Sequence, residues 1–189
     1  MPYYNDQELA DLGLLSLGVN VKISTKAVIQ NPELTSVGDN SRIDDFCVIS
    51  GNVNISKYVH IAVFNNLAGG KFGITLEEAS GVAYGCHIFT QTDDYSGNYL
   101  VSPLFDSTLT NVTGGPIKIG RLSTIGTASV IFPNVTLAEG SAIGALSMVN
   151  KDTEAWSISM GRPARFLKPR SKSALDAWLN FTSKLKENN

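Results

Sequence analysis

Residues 36–67, "SVGDNSRIDDFCVISGNVNISKYVHIAVFNNL", place a branched apolar residue at every sixth position. These marks are Val37, Ile43, Ile49, Ile55, Ile61 and Leu67. A period of six fits neither the 3.6-residue period of an α-helix nor the plain alternation of a strand. It is typical of short flat strands joined by tight corners, where glycine and asparagine take the bends. Three hexads then form one coil, and stacked coils form a parallel β-helix, an all-β prism whose marked residues point inward.

The same spacing continues along most of the chain. It resumes after a three-residue slip at "GGKFG" (69–73), and a partial coil containing Ile23 and Ile29 precedes it. The later marks are Leu76, Val82, Ile88, Ile119, Ile125, Ile131, Leu137, Ile143 and Val149. The spacing predicts coils over residues 37–54, 55–75, 76–93, 119–136 and 137–151.

Two segments fall outside the hexads. A polar tract over about 93–118 predicts a loop thrown out of one coil, and loops of such length in compact domains are usually functional or disordered. The tail places Leu175, Trp178, Leu179 and Leu185 at helical spacing, which predicts an amphipathic helix against the prism or a neighbouring subunit. We therefore divide the chain into a β-helix domain, 1–170, and a C-terminal helix, 171–189.

Composition excludes several classes of protein. The net charge of −2 and the lack of a basic run before the last twenty residues argue against a nucleic-acid-binding protein. No stretch of eighteen continuous apolar residues is present, so no membrane span is expected. The N-terminus carries acids where a signal peptide has a basic start, and two cysteines do not form a disulfide scaffold. The sequence predicts a soluble, cytoplasmic protein.

Several motifs resemble one family. The hexads, the loop and the ending "MGRPARFLK" (160–168) resemble the left-handed β-helix acyltransferases with hexapeptide repeats. Within it, "YVHIA" (58–62) and "TDDYSG" (92–97) look most like the bacterial sugar acetyltransferases of surface-polysaccharide, or O-antigen, pathways. The left-handed turn of the prism comes from this resemblance and not from the spacing.

The resemblance implies a function. It favours an acetyltransferase that uses acetyl-CoA to acetylate the amino group of a nucleotide-linked amino-deoxysugar. It also implies a homotrimer whose active sites lie between subunits. Two alternatives stay open: O-acetylation of a sugar, as in galactoside or maltose acetyltransferases, and a non-catalytic β-helix scaffold.

A zinc enzyme with the same prism is a further possibility. The gamma-class carbonic anhydrases hold zinc with three histidines between subunits, and zinc sites require about four defined ligands. This chain has only His60 and His87, so we expect no metal.

Acyl transfer needs a base, and histidine has a suitable pKa. His60 stands in the "HIA" segment that the resembling acetyltransferases carry, so we predict that it is the base. A carboxylate usually orients such a histidine, and Asp93 is the predicted partner, although the two lie in different coils and might meet only across a subunit boundary. Both histidines are expected at corners of the coils. Galactoside-type relatives carry their catalytic histidine in the loop, where this chain has Gln91.

The remaining site residues are predicted from their positions. Around the loop we expect Gln91, Asp94, Tyr95 and His87 to bind the acceptor. Small residues in the late coils leave room for the pantetheine arm, and basic residues after the last coil suit the phosphates of coenzyme A. The predicted cofactor-binding residues are Gly126, Ala128, Gly144, Ala145, Lys151, Pro163 and Arg165.

Overall fold

The hexads form a prism, as the spacing predicts. A computed structural model describes residues 2–187. Within it Ile43 pairs with Ile61 and Ile125 pairs with Ile143, so that one coil is 18 residues long at both places. All marked residues from Val37 to Val149 are no more than 3% exposed, and together they form one continuous core. The predicted all-β parallel helix is confirmed, and so is the C-terminal helix.

Three faces of parallel strands build the prism. Face 1 contains β1 (Ser16–Leu17), β4 (Thr35–Val37), the second halves of β6 (Val48–Ile55) and β8 (Asn66–Leu76), β13 (Ile117–Ile119) and β16 (Thr136–Leu137). Face 2 contains β2 (Lys22–Ile23), β5 (Arg42–Ile43), β7 (His60–Ile61), β9 (Gly81–Val82), β14 (Thr124–Ile125), β17 (Ala142–Ile143) and β19 (Ser157–Gly161). Face 3 contains β3 (Val28–Gln30), the first halves of β6 and β8, β10 (His87–Phe89), β15 (Val130–Ile131) and β18 (Met148–Val149).

The corners require backbone conformations that most residues avoid. Asn20 and Asn40, in successive coils, have φ of 55° and 57°, in the left-handed region that asparagine tolerates best. The next coil places Tyr58 at the same corner with φ of 59°, and a second corner holds Phe46 and Phe64. The rings of Phe46 and Phe64 stack at 5.2 Å between centroids, so neighbouring coils support each other at their bends.

Both histidines lie on strands, which corrects their expected place at corners. His60 opens β7 and His87 opens β10, each directly before a buried mark. Because side chains alternate along a strand, an inward mark leaves its neighbour pointing outward from a flat face. His60 is therefore presented on face 2 and His87 on face 3.

Antiparallel segments cover both ends of the stack. At the first coil, Tyr3 forms an antiparallel bridge with Ser24, next to β2. At the last coil, β20 (Ala164–Pro169) pairs antiparallel with β19. The short helix α1 (Asp6–Asp11) is capped by Asn5, whose side chain accepts a hydrogen bond from the Glu8 N–H. Its Leu9 is buried against the core.

The remaining elements lie outside the coils. The loop leaves through β11 (Gln91–Thr92) and returns through β12 (Thr113–Gly114), which pair antiparallel. A short 3₁₀ helix spans Pro32–Leu34, and helix α2 spans Ser173–Glu187. In α2, the rings of Trp178 and Phe181 meet the Tyr58 ring edge-on at 5.3 and 5.4 Å. Neither helix is long and apolar enough to cross a membrane.

Candidate active site

His60 and Asp44 form a hydrogen-bonded pair on face 2. The His60 Nε2 atom lies 2.8 Å from Asp44 Oδ2. The Asp44 side chain is only 3% exposed, whereas that of His60 is 50% exposed. Asp44 follows the mark Ile43 in β5, and the 18-residue coil brings His60 directly above Arg42. The pair therefore joins a buried carboxylate to an imidazole that is open to a ligand.

Arg42 holds the carboxylate in place from the other side. Its Nε donates to Asp44 Oδ1 at 2.6 Å and its Nη2 donates to Oδ2 at 2.9 Å. Burial opposes ionisation of Asp44, but the hydrogen bonds from Arg42 and His60 outweigh it, so the pKa of Asp44 lies below its ordinary value. The Tyr3 hydroxyl is also 3.5 Å from Asp44 Oδ1. Asp44 is thus a fixed anion at neutral pH.

This anion determines which nitrogen of His60 is available. An ionised carboxylate can only accept hydrogen bonds, so the neutral imidazole must carry its proton on Nε2. The free lone pair is then on Nδ1, on the exposed part of the ring. An imidazole held in one tautomer by a carboxylate is the arrangement of a general base.

The partner of His60 within the chain differs from the predicted one. We expected Asp93, and the structure gives Asp44. The reason is the length of the coil, which stacks β5 directly below β7, whereas Asp93 lies beyond β11 at the root of the loop. The 18-residue period predicts that residue 42 lies beneath residue 60. It does not predict that Arg42 and Tyr3 enclose the carboxylate next to it.

The two aspartates of the loop have different surroundings. Asp94 accepts hydrogen bonds from the Ser96 N–H at 2.5 Å and from Asn111 Nδ2 at 3.1 Å. These bonds from Ser96 and Asn111 lower the pKa of Asp94 and tie together two strands of the loop. The Asp93 carboxylate has no hydrogen-bond partner within the described part of the chain and is half-buried. Tyr95 is 86% exposed.

Two other predicted acceptor residues lie away from His60. His87 is exposed on face 3, so a single chain does not bring the two histidines together. The Gln91 side chain lies over Gly70, in the space that a side chain at residue 70 would fill. Gln91 is thereby fixed at the root of the loop.

The predicted cofactor-binding glycines are needed by the coil itself. A Cβ atom on Gly126 would lie 2.6 Å from the Ala145 nitrogen, and one on Gly144 would lie 2.8 Å from Met160 Cβ. Close stacking of coils therefore accounts for both glycines. Ala128 occupies a corner with φ of 57°, and Ala145 is exposed in the next coil.

The basic residues after the last coil do come together. Lys151 and Arg165 line one cavity of about 240 Å³ at the C-terminal end of the prism. Asp152 and Glu154 line the same cavity, so its charge is mixed. Pro163 lies in the turn before β20, where it follows a cis peptide bond.

A shallow groove adjoins His60 on face 2. Its volume is about 240 Å³. It is lined by His60, Ala62, Gly81, Val82, Ala83, Tyr84 and Thr124. Small residues follow His60 up this face, since Gly81 and Thr124 pair in register above it. The groove leaves room for a ligand beside the imidazole.

The two thiols are part of the core. Cys47 and Cys86 are free and fully buried, and burial raises the pKa of Cys47 to about 11. Such thiols are poor metal ligands and nucleophiles. Residues 2–187 contain no group of three or more His, Cys, Asp or Glu side chains placed to hold a metal ion.

Comparison with known proteins gives close relatives. The chain is 40% identical, over 179 residues, to an Escherichia coli protein described as dTDP-4-amino-4,6-dideoxy-D-glucose acyltransferase. The match covers 93% of each chain. No family model matches the sequence.

Solved structures show the same fold over the full length. AntD, an N-acyltransferase from Bacillus cereus, was solved in complex with dTDP and 3-hydroxybutyryl-CoA. It superposes with a TM-score of 0.96 at 39% identity, over 98% of this chain and 100% of that one. A serine-to-alanine mutant of AntD holds dTDP-4-amino-4,6-dideoxyglucose and coenzyme A, with a TM-score of 0.95 and 40% identity over 97% and 98% of the two chains.

Proposed function

Since this chain belongs to the left-handed β-helix acyltransferases that include the dTDP-4-amino-4,6-dideoxyglucose acyltransferases, we propose that it acylates the amino group of a dTDP-linked 4-amino-4,6-dideoxyhexose. The chain is an acyltransferase that uses an acyl-CoA, and we propose acetyl-CoA as its donor. The observation that carries the proposal is the match to the E. coli enzyme over 93% of both chains. The resemblance inferred from the hexads is confirmed.

The proposed chemistry begins with the neutral amine of the sugar. Its nitrogen attacks the carbonyl carbon of the thioester, and a C–N bond forms as the carbonyl oxygen becomes an oxyanion. His60 accepts the ammonium proton at Nδ1, while Asp44 stabilises the imidazolium through Nε2. The oxyanion then collapses, the C–S bond breaks, and the proton passes from His60 to the leaving thiolate.

The binding of the donor is proposed for the C-terminal half of the prism. Lys151 and Arg165, which line one cavity, suit the phosphates of coenzyme A. The small residues above His60, Gly81 and Thr124, leave space for the pantetheine arm to run along face 2 toward the imidazole. Ala128, Ala145 and Pro163 stay predictions for this arm.

A homotrimer is proposed to complete the site. Asp93 has no hydrogen-bond partner among residues 2–187 and lies away from His60 of the same chain. It can act on the reaction if the loop reaches the groove of a neighbouring copy. Two buried free thiols accord with a reducing compartment, and we propose a cytoplasmic location.

The experiment compares amine and hydroxyl acceptors. The protein is incubated with acetyl-CoA and either dTDP-4-amino-4,6-dideoxyglucose or dTDP-6-deoxyglucose, which carries a hydroxyl at the same carbon, and thiol release is followed. We expect turnover with the amine only. Turnover with the hydroxyl alone would make the protein an O-acyltransferase, and release with neither acceptor, for acetyl-CoA and 3-hydroxybutyryl-CoA alike, would contradict the proposal.

His60→Ala tests the base in the same assay. We expect kcat to fall about 10²- to 10⁴-fold, the usual contribution of a general base. Lys118→Gln, a surface change on face 1, is the matched control and should retain full activity. A His60→Ala enzyme with kcat near that of the wild type would show that another group takes the proton.

A further inference from the structure

Three basic side chains stand in line on face 2. Lys22 pairs in register with Arg42, and Arg42 pairs in register with His60. Each belongs to the residue before a buried mark, so all three point outward. Adjacent strands are about 4.8 Å apart, so Lys22 and His60 are separated by about 10 Å along the stack. We name Lys22, Arg42 and His60 the basic ladder.

The composition of this outward column changes at His60. Above it stand Gly81, Thr124 and Ala142, which are small and uncharged. Below it stand two cations. A ligand with a narrow neutral part and another with an anionic part would therefore occupy opposite ends of one face, with His60 between them.

The lower end of the ladder opens into a larger cavity. Its volume is about 640 Å³. Lys22 and Arg42 line it together with Tyr3, Tyr4, Asn20 and Asn40. The amides of Asn20 and Asn40 are joined by a hydrogen bond of 3.3 Å at the corner. Such a cavity offers aromatic rings, amide groups and cations to one ligand.

The two cations are available to different degrees. Lys22 is exposed and forms no ion pair within the described residues. Arg42 is bound to Asp44 through Nε and Nη2, yet 43% of its side chain remains exposed. Asp6 also lines the cavity, and its carboxylate suits an N–H or hydroxyl donor and not a phosphate. Lys22 is thus the main cation for an added anion.

We propose that Lys22 and Arg42 bind the diphosphate of the nucleotide sugar and that the adjoining cavity holds its nucleoside between Tyr3 and Tyr4. The inference rests on the proposed function and deepens it. A diphosphate beside the two lower steps of the ladder leaves the sugar about one step further up, next to His60. The acyl donor then approaches over the small residues above, so the two substrates meet at the imidazole from opposite ends of the prism.

The test measures binding of dTDP without an acyl donor. Calorimetric titrations compare the wild type with Lys22→Gln, which keeps the length of the side chain and removes its charge. We expect the Kd for dTDP to rise about tenfold, as for the loss of one charge-assisted hydrogen bond. Lys22→Glu should raise it further. Lys118→Gln, the same change of charge on face 1, should leave the Kd unchanged.

Thymidine, which has no phosphate, locates the effect. The wild type and Lys22→Gln should bind thymidine equally, because the lysine is assigned to the phosphates. Equal affinity of both proteins for dTDP would overturn the assignment of Lys22 even if the enzyme acylates the sugar. A wild type that binds no dTDP, in calorimetry or as an inhibitor, would instead contradict the nucleotide-linked acceptor itself.

Discussion

At the scale of single residues, the buried Asp44 has the largest structural consequence. It holds Arg42 and His60 at once, and its side chain is 3% exposed. Asp44→Asn keeps the shape and removes the charge, which leaves Arg42 without its anion. We expect the free energy of unfolding at pH 7 to fall by about 3 kcal/mol. Chemical denaturation measures this, and the exposed Asp11→Asn should change it by less than about 0.5 kcal/mol.

The pH dependence of that loss follows from the lowered pKa of Asp44. A carboxyl whose pKa is lower in the folded state stabilises the fold above its unfolded pKa, about 3.9. This contribution is lost as the pH falls through the lower, folded value. The difference in stability between wild type and Asp44→Asn should therefore shrink below about pH 4. A difference that grows in acid would contradict this account.

Single residues also show what the sequence could and could not predict. Ile43 and Ile61 were identifiable because every mark obeys one period, and that period alone specifies their burial. Asp44 was not identified, because its partners lie in other coils and its burial depends on the N-terminal Tyr3. His60 was identified through the family motif, but its tautomer depends on Asp44.

At the scale of elements, the loop between β11 and β12 is closed at its base. The antiparallel pair Gln91–Gly114 and Thr92–Thr113 fixes its two ends, and the prism resumes in register at Ile119. Its existence was predictable from the break in the hexads. Its internal structure was not, since bonds such as Asn111 to Asp94 join residues 17 apart without any repeat.

Replacing residues 95–111 by a short Gly-Ser linker tests the loop as a unit. The coils on either side pair directly, Ile88 with Ile131, so the circular dichroism of the prism should be retained. Acyl transfer should fall by at least about 100-fold, because the wall of the acceptor site is removed. Full activity of the shortened protein would show that the loop takes no part in catalysis.

At the scale of the whole molecule, the isolated chain exposes many apolar side chains on the loop. Leu104 is 90% exposed and Tyr95 is 86% exposed, and Leu100, Val101 and Phe105 are about half exposed. Contiguous apolar surface of this kind marks an interface. We expect sedimentation equilibrium to give about three times the chain mass of 20.3 kDa. The shortened-loop protein should dissociate at lower dilution than the wild type, and a monomeric wild type would contradict the trimer.

The antiparallel segments at the two ends of the prism have a consequence for how far the molecule can grow. Every coil presents the same parallel edge to the next one, so an uncovered last coil would accept the first coil of another molecule. Tyr3 beside Ser24 and β20 beside β19 run the opposite way and break this match at both ends. A stack that could otherwise elongate into a fibre is thereby terminated at a defined length.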